Sequence, residues 1–225
     1  MSATGQGNGR KGEPALIFDM DGVLLDSNPA HREAWAAYNL RFGLETTPQM
    51  IERMYGRRND QIIRDFFGSG LDADEVARRG AEKEELYREM VGPRLEGMLV
   101  PGLRAFLGQN RHRPMAVASN AEPENIAFLL DRARLRDFFR IVVDGHQVSC
   151  PKPAPEIYLR AAEMLGVAPA EAIVFEDSLS GVEAARAAGM RVIGLRTTYV
   201  NLPGTELCVD NFKSGELHSW LARHT

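Results

Sequence analysis

Ala15-Leu16-Ile17-Phe18-Asp19-Met20-Asp21-Gly22 is the stretch on which the fold turns. Ala15 to Phe18 is continuously apolar and carries no helical stripe, which predicts a strand buried on both faces. Asp19-x-Asp21-Gly22 then places two acids where open α/β sheets bind ligands, beyond the carboxyl end of a strand. Two carboxylates so close repel each other unless a metal cation or a shared proton relieves them. Taken alone, the segment also fits an acidic turn in which Asp21-Gly22 reverses the chain, so the reading rests on what surrounds it.

Beyond Asp26-Ser27-Asn28-Pro29 the pattern is helical. His31, Ala34, Trp35, Tyr38 and Phe42 share one helix face, and Gly43 stands where a helix stops. From residue 47 to about 94 there are further helical segments, divided by Gly56, Gly68-Ser69-Gly70 and Gly92-Pro93, and no convincing strand. A crossover between parallel strands needs only about a dozen residues, so this stretch predicts an inserted helical domain. From Pro101 helix and strand alternate. Strands are predicted at 115–119, 141–143, 172–175 and 191–195, with a doubtful one at 207–209, and helices at 122–131, 156–165 and 180–188. Such alternation predicts an α/β fold, a Rossmann-like parallel sheet flanked by helices. The expected division is a flexible N-terminal tail over 1–13, an α/β core over 14–27 and 96–225, and a helical cap over 28–95.

Polar residues break the apolar pattern where successive strands end: Asp19 and Asp21, then Ser119-Asn120, then Glu176-Asp177. Lys152 lies in the Pro-rich loop Cys150 to Pro155 that opens the helix after the third strand. In a parallel sheet these positions converge on one edge. Acids, a hydroxyl and a lysine gathered there suit phosphate beside Mg²⁺, a hard cation that takes carboxylate and phosphate oxygens. Each residue alone also fits a plain role, Ser119 as a strand-end hydroxyl, Lys152 as a solvated lysine and Asp177 as a helix N-cap.

Asp19-Met20-Asp21-Gly22, Ser119-Asn120, Lys152-Pro153 and Glu176-Asp177-Ser178-Leu179-Ser180-Gly181 together resemble the motifs of the haloacid dehalogenase (HAD) superfamily of phosphohydrolases. They look most like the branch that holds small-molecule phosphatases and β-phosphoglucomutase. The resemblance runs from Pro14 to the end of the chain, and the inserted helices match the family's α-helical cap. It implies Asp19 as nucleophile and Mg²⁺ ligand, and Asp21 as general acid and base with its backbone carbonyl on the metal. It further implies Asp177 as a metal carboxylate with Glu176 beside it, on the metal directly or one step removed, Lys152 as the bridge from Asp19 to the phosphoryl oxygens, and Ser119 and Asn120 as donors to those oxygens. The family's dehalogenases lack the second acid, so Asp21 favours phosphate over carbon–halogen chemistry. A binding protein on a relic phosphatase fold is the remote alternative, disfavoured because no nucleophile or metal ligand is missing.

The cap is where substrate would be read, and its candidates are His31, Arg57, Arg58, Asn59 and Lys83. His31 and Lys83 match a cap histidine and lysine of β-phosphoglucomutase. The Gly56-Arg57-Arg58-Asn59 turn departs from that enzyme's Gly-x-Ser-Arg, since Asn59 stands where its arginine holds a second phosphate. The turn after Ser119 departs too, with Ala121-Glu122-Pro123 where the mutase carries a lysine. A phosphatase is therefore expected ahead of a sugar-phosphate mutase.

Composition narrows the partners. The chain has 225 residues, 44% hydrophobic and 26% charged, with a net charge of −4. That balance suits a soluble globular protein and lacks the basic surplus of a nucleic-acid binder. Cys150 and Cys208 are too few for a disulfide framework and read as buried or incidental thiols. No apolar run nears the roughly 20 residues that cross a bilayer, and the first dozen residues lack a signal-peptide core. The expectation is a cytoplasmic monomer or weak dimer acting on a small phosphorylated metabolite, with no nucleic-acid or membrane partner.

Overall fold

Alternation along β1 (Ala15–Phe18) sends Leu16 and Phe18 into one hydrophobic core and Ile17 into another, one on each face of the sheet. The computed structural model describes residues 12–224, so the expected N-terminal tail lies outside the described residues up to residue 11. Around β1 stand β2 (Met115–Ala118), β3 (Ile141–Val143), β4 (Ala172–Glu176), β5 (Arg191–Leu195) and β6 (Leu207–Val209). The order is β3-β2-β1-β4-β5-β6, and every neighbouring pair is parallel. The doubtful strand at 207–209 is thus a true edge, paired to β5 through Cys208 and Gly194. Among the described residues no helix is long and apolar enough to cross a membrane.

Between β1 and β2 run α1 (Asn28–Leu40), α2 (Pro48–Met54), α3 (Asn59–Phe67), α4 (Ala73–Val91), the short α5 (Leu95–Met98) and α6 (Leu103–Gln109). The remaining helices are α7 (Pro123–Arg132), α8 (Glu156–Leu165), α9 (Leu179–Ala187) and α10 (Gly215–Arg223). α8 packs on β1, β2 and β3, and α9 on β4 and β5. The opposite face receives Phe106 of α6 and Trp220 of α10. The helices after β1 have a hydrophobic cluster of their own, Trp35, Tyr38, Met54, Ile62, Ile63 and Val76. α4 joins this layer to the rest by packing on α1 and α3 and also on α7. The stripe predicted through Phe42 is shorter than expected, because α1 closes at Leu40. Arg41, Phe42 and Gly43 donate their N–H groups three residues back, to Tyr38, Asn39 and Leu40. Of the two thiols, Cys150 is exposed rather than buried and Cys208 is half-buried.

Phe18 is fully buried and stacks on Phe175 of β4 at 4.7 Å and 6°, with Phe106, Phe139 and Phe212 around it. The ring sits one residue before Asp19, so the same strand both anchors the core and aims the acid. Phe18→Ala removes the centre of this cluster and should lower stability by about 3–5 kcal/mol in urea unfolding. A loss below about 1 kcal/mol would mean that the cluster collapses onto the vacancy, against the tight packing found here.

Candidate active site

Strand order reverses between β1 and β4, and three acids meet at that switch point. Asp19 follows β1, Glu176 ends β4, and Asp177 comes next; one oxygen from each lies within 4.8 Å of the others. Lys152 enters from the loop before α8. Its Nζ is 2.7 Å from Asp19 Oδ1 and 2.7 Å from Glu176 Oε1, and the side chain is buried.

Glu176 has both carboxylate oxygens in use. Oε1 accepts from Lys152 and from Tyr158 Oη at 2.6 Å; Oε2 accepts from the backbone of Asp177 and Ser178 and from Ser178 Oγ. A Cβ on Gly181 would lie 1.8 Å from Glu176 Oε1, so only glycine leaves room for that carboxylate at the start of α9. Gly22 does the same for Asp177, whose Oδ2 a Cβ there would meet at 1.8 Å. Asp177 Oδ2 accepts from Asn28 Nδ2 at 3.0 Å and from Thr198 Oγ1.

Burial sets the electrostatics. It drives the Asp19 carboxyl up to about 7, with Lys152 opposing and the charges of Glu176 and Asp21 adding to the rise. Asp177 is pushed well above the usual carboxylate range by burial and by the charges of Glu176, Asp19 and Asp21, with the Thr198 hydroxyl opposing. Burial would also raise Glu176, but the Lys152 charge and its hydrogen bonds outweigh this and hold it low. Lys152 loses charge preference through burial and regains more from Asp19 and Glu176, so it stays protonated.

Asp21 forms a second cluster. Its Oδ1 accepts from Ser27 Oγ at 2.5 Å and lies 3.3 Å from His31 Nε2. Burial raises its pKa, yet the charge and hydrogen bond of His31 and the Ser27 hydroxyl bring it below the ordinary value. His31 stacks on Tyr87 at 3.8 Å and turns Nδ1 toward Lys83 Nζ at 3.3 Å. Lys83 is buried and lies 2.5 Å from Glu84.

A cavity of about 70 Å³ connects the two clusters. Among its walls are Asp19, Asp21, His31, Lys83, Ser119, Asn120, Lys152 and Asp177, so these sequence candidates share one space. Asn120 also binds across it, its Nδ2 donating to the Gly56 carbonyl at 2.8 Å. Asn59 lines the pocket and donates to Glu84 at 2.7 Å. Arg57 reaches the wall, but its guanidinium is held by Asp65 at 3.1 Å; Arg58 pairs with Asp60 at 3.5 Å and does not line the pocket. Asn28, Glu84, Glu122 and Asn125 line it too, and the sequence reading had not assigned them to the site. Only Glu122 had left a trace, as a departure from a lysine-bearing turn.

The acid cluster suits a metal ion by its chemistry. Its donors are all oxygen, and three carboxylates face one ammonium, a surplus of negative charge that a hard divalent cation would neutralise. A doubly wound sheet with an acid-and-lysine pocket at its switch point defines an α/β enzyme that works on an anionic substrate. The model of the family described as haloacid dehalogenase-like hydrolase matches residues 14–189. The fructose-1-phosphate phosphatase YqaB of Escherichia coli is 38% identical over 185 residues, covering 80% of this chain and 95% of that protein. A phosphorylated carbohydrates phosphatase of Thermotoga maritima is 34% identical, covering 80% and 84%. The crystal structure of β-phosphoglucomutase from Clostridium difficile superposes with a TM-score of 0.84 at 24% identity, covering 94% of this chain and 97% of that one. The chain belongs to the haloacid dehalogenase-like hydrolases.

Protons and a divalent cation must compete for these acids. Asp19 holds its proton up to about pH 7 without a cation, and binding requires the carboxylate. Divalent-ion affinity should therefore rise with pH through about 7, where Asp19 gives up its proton, with protons released on binding below that point and the raised Asp177 adding to the release. Calorimetric titration in buffers of different ionisation enthalpy measures the release. Affinity that stays constant between about pH 5 and 8 would contradict the raised acid.

Proposed function

We propose that this chain is a Mg²⁺-dependent phosphatase of small phosphate monoesters, sugar phosphates or related metabolites, acting through an aspartyl phosphate on Asp19. The observation that carries the reading is Asp19 held 2.7 Å from Lys152 in one pocket with Asp21, Ser119, Asn120 and Asp177. The names of the Escherichia coli and Thermotoga maritima relatives support a phosphorylated sugar as substrate. Mg²⁺ bound by Asp19, Asp177 and the Asp21 main chain would offset phosphoryl charge and align the ester with the nucleophile.

Asp19 attacks phosphorus while the P–O bond to the alcohol breaks, and Asp21 delivers the proton that the alcohol needs. Water then attacks phosphorus, Asp21 takes its proton, and Asp19 leaves as a free carboxylate with phosphate released. Lys152 keeps Asp19 oriented and faces the charge that builds on the phosphoryl oxygens, with Ser119 and Asn120 as hydrogen-bond donors. Glu176 is assigned to holding Lys152, since its own oxygens are already occupied. Asp21 sits below the ordinary carboxylate range because His31 and the Ser27 hydroxyl outweigh its burial, so His31 is assigned to positioning and tuning that acid.

The mutase alternative draws on His31 and Lys83 in the pocket. It needs an anchor for a second phosphate, and Arg57 and Arg58 are engaged with Asp65 and Asp60.

Asp19→Asn should abolish phosphate release from small monoesters while shifting the melting temperature by only a few degrees. Retained turnover would sink the mechanism. Bisphosphate-primed conversion of glucose 1-phosphate to glucose 6-phosphate, faster than phosphate release by the unmodified chain, would favour the mutase instead. His31→Ala removes the charge that lowers Asp21, so burial raises that acid. Asp21 then becomes a free base only at higher pH, and the acid limb of the dephosphorylation rate should move upward. An acid limb that stays in place would remove His31 from the proton pathway.

A further inference from the structure

Away from the acid–lysine cluster, the pocket is lined by Asn59, Glu84, Glu122 and Asn125. Glu84 on α4 is buried and has both oxygens engaged, Oε1 with Lys83 and Asn59, Oε2 with Asn125 Nδ2 at 2.6 Å. Glu122, at the N-cap of α7, is half-buried; its Oε2 faces His146 Nε2 at 2.6 Å, but its Oε1 has only a long 3.3 Å contact with Asn59. Lys83 also lines the pocket, and Glu84 already neutralises it at 2.5 Å. Arg57 is turned to Asp65 and to the carbonyls of Arg53 and Gln61, and Arg88 is bound to Asn125 Oδ1. The wall is therefore two carboxylates and two amides, with Lys83 and Arg57 beside them already paired.

We infer that Glu122 is a specificity-determining residue that selects a hydroxyl-rich, otherwise uncharged leaving group and rejects a second phosphate or a carboxylate. The inference rests on the phosphatase reading of the Asp19 centre. A carboxylate only accepts hydrogen bonds, so it matches hydroxyl donors, and such charge-assisted bonds are the stronger kind. A second anionic group would instead face Glu84 and Glu122 while the guanidinium groups of Arg57 and Arg88 are engaged elsewhere, which discriminates by repulsion. Position favours Glu122 over Glu84. It follows Asn120 by two residues, so its distance from the phosphate end is set by the rigid start of α7. Asn59 of α3 touches both carboxylates, so the same contact that brings the helical layer onto α7 completes the wall.

The test compares fructose 1-phosphate with fructose 1,6-bisphosphate, with p-nitrophenyl phosphate as a minimal ester, all with Mg²⁺. The unmodified chain should prefer the monophosphate by about tenfold or more in kcat/KM, the difference lying in KM. Glu122→Lys should shrink or invert that ratio, and Glu122→Gln should shrink it less, with circular dichroism verifying that both variants fold. Equal or better use of the bisphosphate by the unmodified chain would overturn the inference, as would a ratio untouched in folded Glu122→Lys. Failure to hydrolyse any of the three esters would instead defeat the phosphatase reading. In that case the two sugar phosphates are titrated into the Mg²⁺-loaded unmodified chain by calorimetry, and equal binding of both overturns the inference as well.

Discussion

One buried ammonium holds together a cluster that would otherwise push itself apart. Asp19, Glu176 and Asp177 belong to two neighbouring strand ends and come within 4.8 Å of one another. Lys152 touches two of them at 2.7 Å and is nearly inaccessible to water. Removing one partner of such a buried pair typically costs about 3–5 kcal/mol, because the other is left charged and unmatched. The remaining acid, Asp177, is met among the described residues by hydroxyl and amide donors, and burial together with its acidic neighbours raises its pKa. A site in this condition has a standing affinity for protons or for a divalent ion.

The rest of the pocket is built by partnered polar groups. Asn59, Glu84, Asn125 and Arg88 form a chain of hydrogen bonds between the helices that follow β1 and the helix that follows β2. Because each group has its partner, this burial carries little of the penalty that an orphaned polar group brings, and it fixes one geometry. Asn120 and Gly56 make a second such contact beside the acids. The helical layer therefore does more than cover the strand ends: it brings carboxylates and amides to the wall of the pocket.

Some of this was legible from residue order. An apolar run ending in Asp-x-Asp-Gly marks a strand end, and strand ends in a parallel sheet share an edge, so Asp19, Asp21, Ser119, Asn120, Glu176 and Asp177 could be grouped without coordinates. Glu84 could not, since a glutamate within Lys83-Glu84-Glu85 reads as a solvated helix face and only tertiary packing buries it. Asn28 is separated from Asp177 by 149 residues, and no local pattern connects them. Tyr158 lies on α8, 18 residues before Glu176, and only the packing of that helix on the sheet brings its hydroxyl to Glu176 at 2.6 Å. For Arg57 and Arg58 residue order hides the partners instead. A cationic turn near the cap invites a phosphate, but the carboxylates of Asp65 and Asp60 lie near enough to pair with those guanidinium groups.

Sequence alone determined the alternating sheet, the insertion after β1 and the acids and lysine gathered at the strand ends, because these depend on periodicity and on where strands stop. Tertiary structure decided which carboxylates are held low and which are raised, which of them retain an oxygen with little to bind, and which arginines are already engaged. Those properties follow from burial and from distances of a few ångströms between residues remote in the chain, and the electrostatic free energy of a charged group changes steeply with both.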